Sequence, residues 1–185
     1  GQSLFIVENE PVNEVVGTVV GNDQDATGVL QNWMITGGNT SGAFAITPAT
    51  GVITVQNAAA LDAEVNQLFN LTITVSDGVN TSAVETVVVN IGDDNEFAPM
   101  IAEEQTFGIN ENSINNSSVG TVTASDQDIS DTLRDFTITD GNTGGAFSIN
   151  PISGEIRVAN QAVLDAEVNP TFSLSISVSD GELTS

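Results

Sequence analysis

Residues 69–76 read Phe-Asn-Leu-Thr-Ile-Thr-Val-Ser, with Phe69, Leu71, Ile73 and Val75 alternating against Asn70, Thr72, Thr74 and Ser76. A period of two puts the first set on a buried face and the second on a wet one, as in a strand packed on one side. Phe172, Leu174, Ile176 and Val178 repeat the pattern against serines. Phe44 to Ile46 and Ile53 to Val55 alternate likewise, joined by the turn Thr47-Pro48-Ala49-Thr50-Gly51. The first half of the chain thus predicts strands near 3–7, 15–22, 33–37, 43–46, 52–56, 69–76 and 83–91. In the last of these the face assignment stays open, because Val84, Thr86, Val88 and Asn90 alternate with Glu85, Val87, Val89 and Ile91. Only Asn57 to Asn66 reads as loop or short helix. Seven short strands between turns fit an antiparallel β-sandwich of immunoglobulin type.

The second half repeats the first. Asp23-Gln24-Asp25 returns as Asp126-Gln127-Asp128, a displacement of 103 residues, and the same displacement carries Glu8-Asn9 onto Glu111-Asn112. It also carries Gly42-Ala43-Phe44 onto Gly145-Ala146-Phe147, Leu61-Asp62-Ala63-Glu64-Val65-Asn66 onto Leu164-Asp165-Ala166-Glu167-Val168-Asn169, and Ser76-Asp77-Gly78 onto Ser179-Asp180-Gly181. No gap is needed, and roughly half the aligned positions are identical, so the chain is two tandem copies of one unit. The expected organisation is an all-β pair: domain 1 over 1–96, a linker over 93–99, and domain 2 over 100–185. Ser185 aligns with Ser82, so domain 2 is expected to lack the counterpart of the strand at 83–91. A sandwich without that strand exposes core and an open edge, and the reading is that the chain was truncated or that a strand from elsewhere fills the place.

Charge sharpens this picture. Asp and Glu number 25 against two basic residues, Arg134 and Arg157, with no Lys, His or Cys, for a net charge of −23. Nucleic acid and anionic membrane surfaces would repel such a chain, and no apolar run approaches the roughly 18 residues of a membrane helix. Without Cys or His, disulfides and the usual zinc, copper or haem ligands are excluded, so any metal must be held by oxygen. Asp93-Asp94-Asn95-Glu96-Phe97-Ala98-Pro99 offers a run of oxygens suited to a hard cation between the two units. Each unit adds acidic signatures on loops or strand ends, and the Asp-x-Asp and Asp-x-Glu spacing places both carboxylates on one side of an extended segment. Gathering so many carboxylates without a cation is costly, since like charges repel and raise one another's pKa.

In order, Glu-Asn, Asp-x-Asp, Gly-x-Phe-x-Ile, Gly-x-Ile, Leu-Asp-x-Glu, Ser-Asp-Gly and an acidic linker ending in Pro resemble the cadherin repeat. The linker departs from the family's Asp-x-Asn-Asp-Asn-x-Pro at Glu96 and Phe97. The resemblance implies calcium ions at the junction held by Glu8, Asp62 and Glu64 of domain 1 and by Asp93, Asn95 and Glu96 of the linker. Main-chain oxygens of Asp94 and Phe97 join them, with Asp126, Asp128 and Asp180 from domain 2 and a carbonyl near Ser130-Asp131. It further implies outer half-sites, Asp23, Asp25 and Asp77 at one end and Glu111, Asp165 and Glu167 at the other, for neighbouring repeats of the same protein.

An isolated acidic loop residue is ordinarily solvated surface, but here the pairs recur in register. Trp33, aligned with Phe136, is expected in the core, as are Phe44, Phe69, Phe147 and Phe172. Asn70-Leu71-Thr72 lies mid-strand and is set aside as a glycosylation site. Paired carboxylates also occur in glycoside hydrolases, yet every pair is duplicated and no His, Lys, Tyr or Cys offers a base or nucleophile. The expectation is therefore not an enzyme. It is an extracellular calcium-binding module that stiffens a secreted, bacterial adhesin or exoprotein. The alternative is a calcium-dependent polysaccharide-binding or homophilic-adhesion module.

Overall fold

The computed structural model describes residues 1–24, 29–130 and 132–185. The chain divides into two compact units, Gly1–Asp94 and Asn95–Ser185. Within the described residues it is all-β, with single 3-10 turns as its sole helical pieces.

In the first unit, β1 (Gln2–Val7), β7 (Glu85–Gly92), β6 (Leu68–Ser76) and β3 (Gln31–Gly37) form one sheet in that spatial order. β2 (Val15–Thr18), β5 (Val52–Val55) and β4 (Phe44–Ile46) form the other. β1 runs parallel to β7, while the other pairs are antiparallel. The alternation decides the packing over most of β6, where Phe69, Leu71 and Ile73 are buried and Asn70 is exposed; it breaks at the end of the strand, where Thr74, expected on the wet face, is 9% exposed and Val75 is only half-buried. It also resolves the strand left open by pattern, since Val87, Val89 and Ile91 are the buried set of β7. Phe44 meets Phe69 edge to face, with ring centroids 5.1 Å apart. Trp33 is 6% exposed and belongs to the core. Filling such a core with aromatic and β-branched residues is what holds two facing sheets together.

One departure has a local cause. The strand expected at 15–22 ends at Thr18, beyond a register irregularity between Val15 and Gly17. From there the Val19 amide bonds the Gly51 carbonyl, and Val20 is held through both its N–H and C=O by the Gln2 side chain. The loop at 57–66 contains a 3-10 turn, Ala58–Ala60, and buries Leu61 and Ala63. Gly38 has φ +75°, and a Cβ there would overlap the Asn70 carbonyl, so only glycine fits this crossing beside β6.

The second unit repeats the layout. β9 (Ser118–Thr121), β12 (Phe147–Ile149) and β13 (Glu155–Val158) form one sheet. β11 (Arg134–Asp140) pairs with β14 (Ser175–Ser179), and β8 (Met100–Ile101) with β10 (Ala124–Ser125). Phe147 and Phe172 keep the edge-to-face contact at 5.1 Å, and Gln105 grips Thr123 as Gln2 grips Val20. The difference lies at the edge: 105–110 and 171–174, whose counterparts in the first unit flank β7, are in no strand. Phe172 is accordingly half-buried where Phe69 is buried, which corrects the expectation of a fully core position.

Candidate metal centre

Each unit carries an acidic end built by strand termini and loops. In the first unit Glu8 follows β1 directly, and its amide bonds the Gly92 carbonyl at the end of β7. Its side chain is 2% exposed. One carboxylate oxygen accepts from the Ala63 amide at 2.6 Å and the other from the Asp94 amide at 2.8 Å. The side chain thus ties the linker start and the Leu61–Asn66 loop together, while the Glu8 amide holds the end of β7. Asp62 lies in the same loop, and its Oδ1 accepts from the Val65 amide at 2.9 Å. Carboxylate oxygens of Glu8, Glu64 and Asp93 all lie within 4.8 Å of one another.

Three anions that close are electrostatically strained. The Glu64 carboxyl shows it, pushed from 4.5 up to about 7 by burial, by a hydrogen bond with Asp93, and by the charges of Glu8 and Asp93. Its Oε1 is buried and reached by no hydrogen-bond donor. In water such an oxygen would be solvated, so burying it bare is unfavourable unless a cation takes the place of the lost donors.

The second unit gathers Asn95, Phe97, Asp126, Asp128 and Asp180. Asp128 and Asp180 are 5% and 4% exposed. Asp126 Oδ1 accepts from the Asp128 amide at 3.2 Å, and Asp128 Oδ2 from the Phe97 amide at 3.0 Å. Burial pushes the Asp180 carboxyl up, but the Glu182 and Leu183 amides and the Asn95 side chain donate to it and leave it below the usual carboxylate value. Those amides bond Oδ1, at 2.7 and 2.8 Å, whereas Oδ2 of Asp180 and Oδ2 of Asp126 are buried with no donor. Glu96 is exposed in the linker.

The outer residues are arranged differently. Glu111, Asp165 and Glu167 bring carboxylate oxygens within 4.8 Å, but all three are exposed. Glu111 keeps one bond, from the Ala166 amide at 3.1 Å. Asp77 caps a turn by accepting from the Val79 and Asn80 amides, and these bonds hold its carboxyl below the usual range. Asp23 is half-buried. Asp25 and Asp131 lie outside the described residues.

The pattern of acidic and apolar positions does not single out the residues that fix the backbone of the two units and, in one case, an acid. Ala63 stands between the two acids of Leu-Asp-Ala-Glu; it is buried, and its amide grips Glu8. Asn39 bonds both the N–H and C=O of Phe44, at 3.0 and 2.8 Å, and Asn142 does the same to Phe147. The recurrence of both features at the displacement of 103 residues was the available signal.

Comparison with known proteins is consistent with this architecture. The family profile described as "Cadherin domain" matches residues 2–92 and 105–185, so the chain belongs to the cadherin family. Cadherin domains are non-enzymatic, extracellular domains of cell-surface proteins that bind calcium and mediate adhesion. Among relatives, human Protocadherin Fat 1 is 35% identical over 153 residues, 80% of this chain and 3% of that protein. The Drosophila melanogaster "Protocadherin-like wing polarity protein stan" is 33% identical over 181 residues, 94% of this chain and 5% of that protein. The extracellular cadherin domains 3–6 of Protocadherin Gamma B2 share the fold with a TM-score of 0.76 at 21% identity, over 100% of this chain and 47% of that one. The chain therefore spans a small part of the curated relatives it matches.

Proposed function

We propose that this chain is a calcium-stiffened pair of cadherin domains, a structural segment of a larger extracellular adhesin or exoprotein. The observation that carries the reading is the set of buried carboxylate oxygens without donors, Glu64 Oε1, Asp126 Oδ2 and Asp180 Oδ2, the first of them on a carboxyl raised to about 7. A purely oxygen donor set suits calcium and suits no softer metal. Bound calcium supplies the positive charge that these groups lack.

The chain's own residues do the rest. Glu8, Asp62, Glu64 and Asp93 offer the carboxylates of domain 1, with Glu8 anchored by the Ala63 and Asp94 amides. Asn95 and Glu96 offer side-chain oxygens from the linker, and Asp94 and Phe97 their carbonyls. Asp126, Asp128 and Asp180 offer those of domain 2. In this reading domain 1 covers 1–96, the linker 93–99 and domain 2 100–185, and the two acidic ends share ions across the linker. Mutual repulsion separates them when calcium is removed, and shared ions replace a flexible joint by a stiff one. Extracellular modules of this kind bind at about 10⁻⁴–10⁻³ M, which matches calcium outside cells. Asp23, Asp25 and Asp77, and Glu111, Asp165 and Glu167, serve as half-sites toward neighbouring repeats. A net charge of −23 without Lys fits a soluble extracellular segment in saline water, and a secreted, bacterial parent is part of the proposal.

Small-angle scattering with calcium and after chelation tests this. A longer, narrower particle distribution and a higher melting temperature in calcium are expected, and an unchanged profile after chelation contradicts it. The alternative, in which calcium bridges a polysaccharide or a like module, is distinguished by pull-down on insoluble polysaccharide and by size-exclusion chromatography, each with and without calcium.

A further inference from the structure

The two basic residues of the chain stand in different surroundings. Arg157 is neutralised where it stands, with one guanidinium nitrogen 2.9 Å from Glu155 Oε1 and another donating to the Asn116 carbonyl at 2.8 Å. Arg134 joins no ion pair among the described residues. It opens β11 opposite Ser179, the residue before Asp180. Its guanidinium lies over Gly181, in space that a Cβ at that position would take. Consecutive Cα atoms are about 3.8 Å apart, so Asp180 lies inside the roughly 8 Å over which charges still act at about 0.15 M salt. The first unit holds the neutral amide of Gln31 in the same place over Gly78, beside Asp77. Asp23, Asp25 and Asp77 all recur as Asp126, Asp128 and Asp180, and Arg134 adds a positive charge to that set.

We propose that Arg134 sets the calcium affinity of the second unit's acidic end, holding it below what Asp126, Asp128 and Asp180 alone would give. The inference rests on the calcium reading above and concerns the strength of binding, not its occurrence. A fixed positive charge repels a doubly charged cation and, with no cation bound, offsets part of the repulsion among the acids. Both effects narrow the gain on binding. Two of those acids keep a buried oxygen with no donor, Asp126 Oδ2 and Asp180 Oδ2, so Arg134 does not take the cation's place by bonding them. It acts through its field. A unit charge acting on a doubly charged ion across about 7 Å of water changes affinity about three- to fivefold at about 20 mM salt, and less than about twofold at about 0.5 M.

The test is a calcium titration of the whole chain and of its Arg134→Gln and Arg134→Lys variants, read by NMR at the Asp128 and Glu182 amides. Gln31 shows that the fold accommodates glutamine at this place. Arg134→Gln should tighten binding about three- to fivefold at about 20 mM salt, with the difference falling below about twofold at about 0.5 M. Arg134→Lys, which keeps the charge, should stay near the wild-type affinity. Equal affinity in the wild-type chain and Arg134→Gln, a gain undiminished in high salt, or an equal gain in Arg134→Lys overturns the proposal and leaves the calcium reading standing. No calcium binding in any of the three chains overturns both.

Discussion

Replacing Glu8 with alanine separates the two repeats, which the sequence makes alike. Glu8 and Glu111 occupy equivalent positions in identical Glu-Asn pairs. Yet Glu8 is 2% exposed and accepts two amide bonds, at 2.6 and 2.8 Å, whereas Glu111 is exposed with one bond at 3.1 Å. Hydrogen bonds to a charged group contribute about 1.5–3 kcal/mol each, and buried amides left bare add to the loss. Against that, Glu8 adds to the repulsion on Glu64, and its removal relieves part of it. Glu8→Ala should therefore cost about 2–3 kcal/mol in calcium-free buffer, which for a domain of this size lowers the melting temperature by about 10 °C or more. Glu111→Ala should cost about 0.5 kcal/mol or less, as one exposed contact does. Trp33 is the single Trp and lies in the first core, so its fluorescence reports that unit's unfolding; calorimetry reports the second. A Glu8→Ala shift below about 2 °C, or one equal to that of Glu111→Ala, would refute the argument that burial and paired amides set the difference.

Three further outcomes follow from the same geometry. Because the Glu64 carboxyl is raised from 4.5 to about 7, the folded first unit binds more protons than its unfolded chain between those values. In chelator its contribution to stability therefore falls as pH rises through that window; urea midpoints by Trp33 fluorescence should be higher near pH 5 than near pH 8, with Glu64→Gln flattening the difference. Phe69→Ala should cost about 3–5 kcal/mol and Phe172→Ala about half as much, since Phe172 is only half-buried; equal losses by calorimetry would refute this. Gly38→Ala should cost about 2 kcal/mol or more, because φ +75° and the Asn70 carbonyl leave no room for a Cβ; an unchanged urea midpoint would count against that packing.

Strand alternation carried much of the fold. Period-two runs at 69–76 and 52–55 located β6 and β5 because one face of each must be apolar. Pattern failed where pairing rather than burial decides. Val19 and Val20 look like strand, but their polar groups are met by Gly51 and the Gln2 side chain. Strand and core status of 105–110 and Phe172 depend on a neighbour at the edge, which alternation along one segment does not register. The acidic residues were legible as candidates from their duplication. Their depths were not: the Asp128 and Asp180 side chains are buried while Asp165 and Glu167 are exposed, although all four belong to recurring motifs. Nor does a motif reveal that the Ala63 amide holds Glu8, because that depends on how the loop folds over the end of β1.

An amide-resolved NMR calcium titration of the intact chain tests the central claim most directly. If the acidic ends share ions across Asp94–Asn95, the Ala63 and Asp94 signals in domain 1 and the Asp128 and Glu182 signals in domain 2 should move together along one binding curve. Signals that titrate at separate calcium concentrations, or fail to move in either domain, would contradict it.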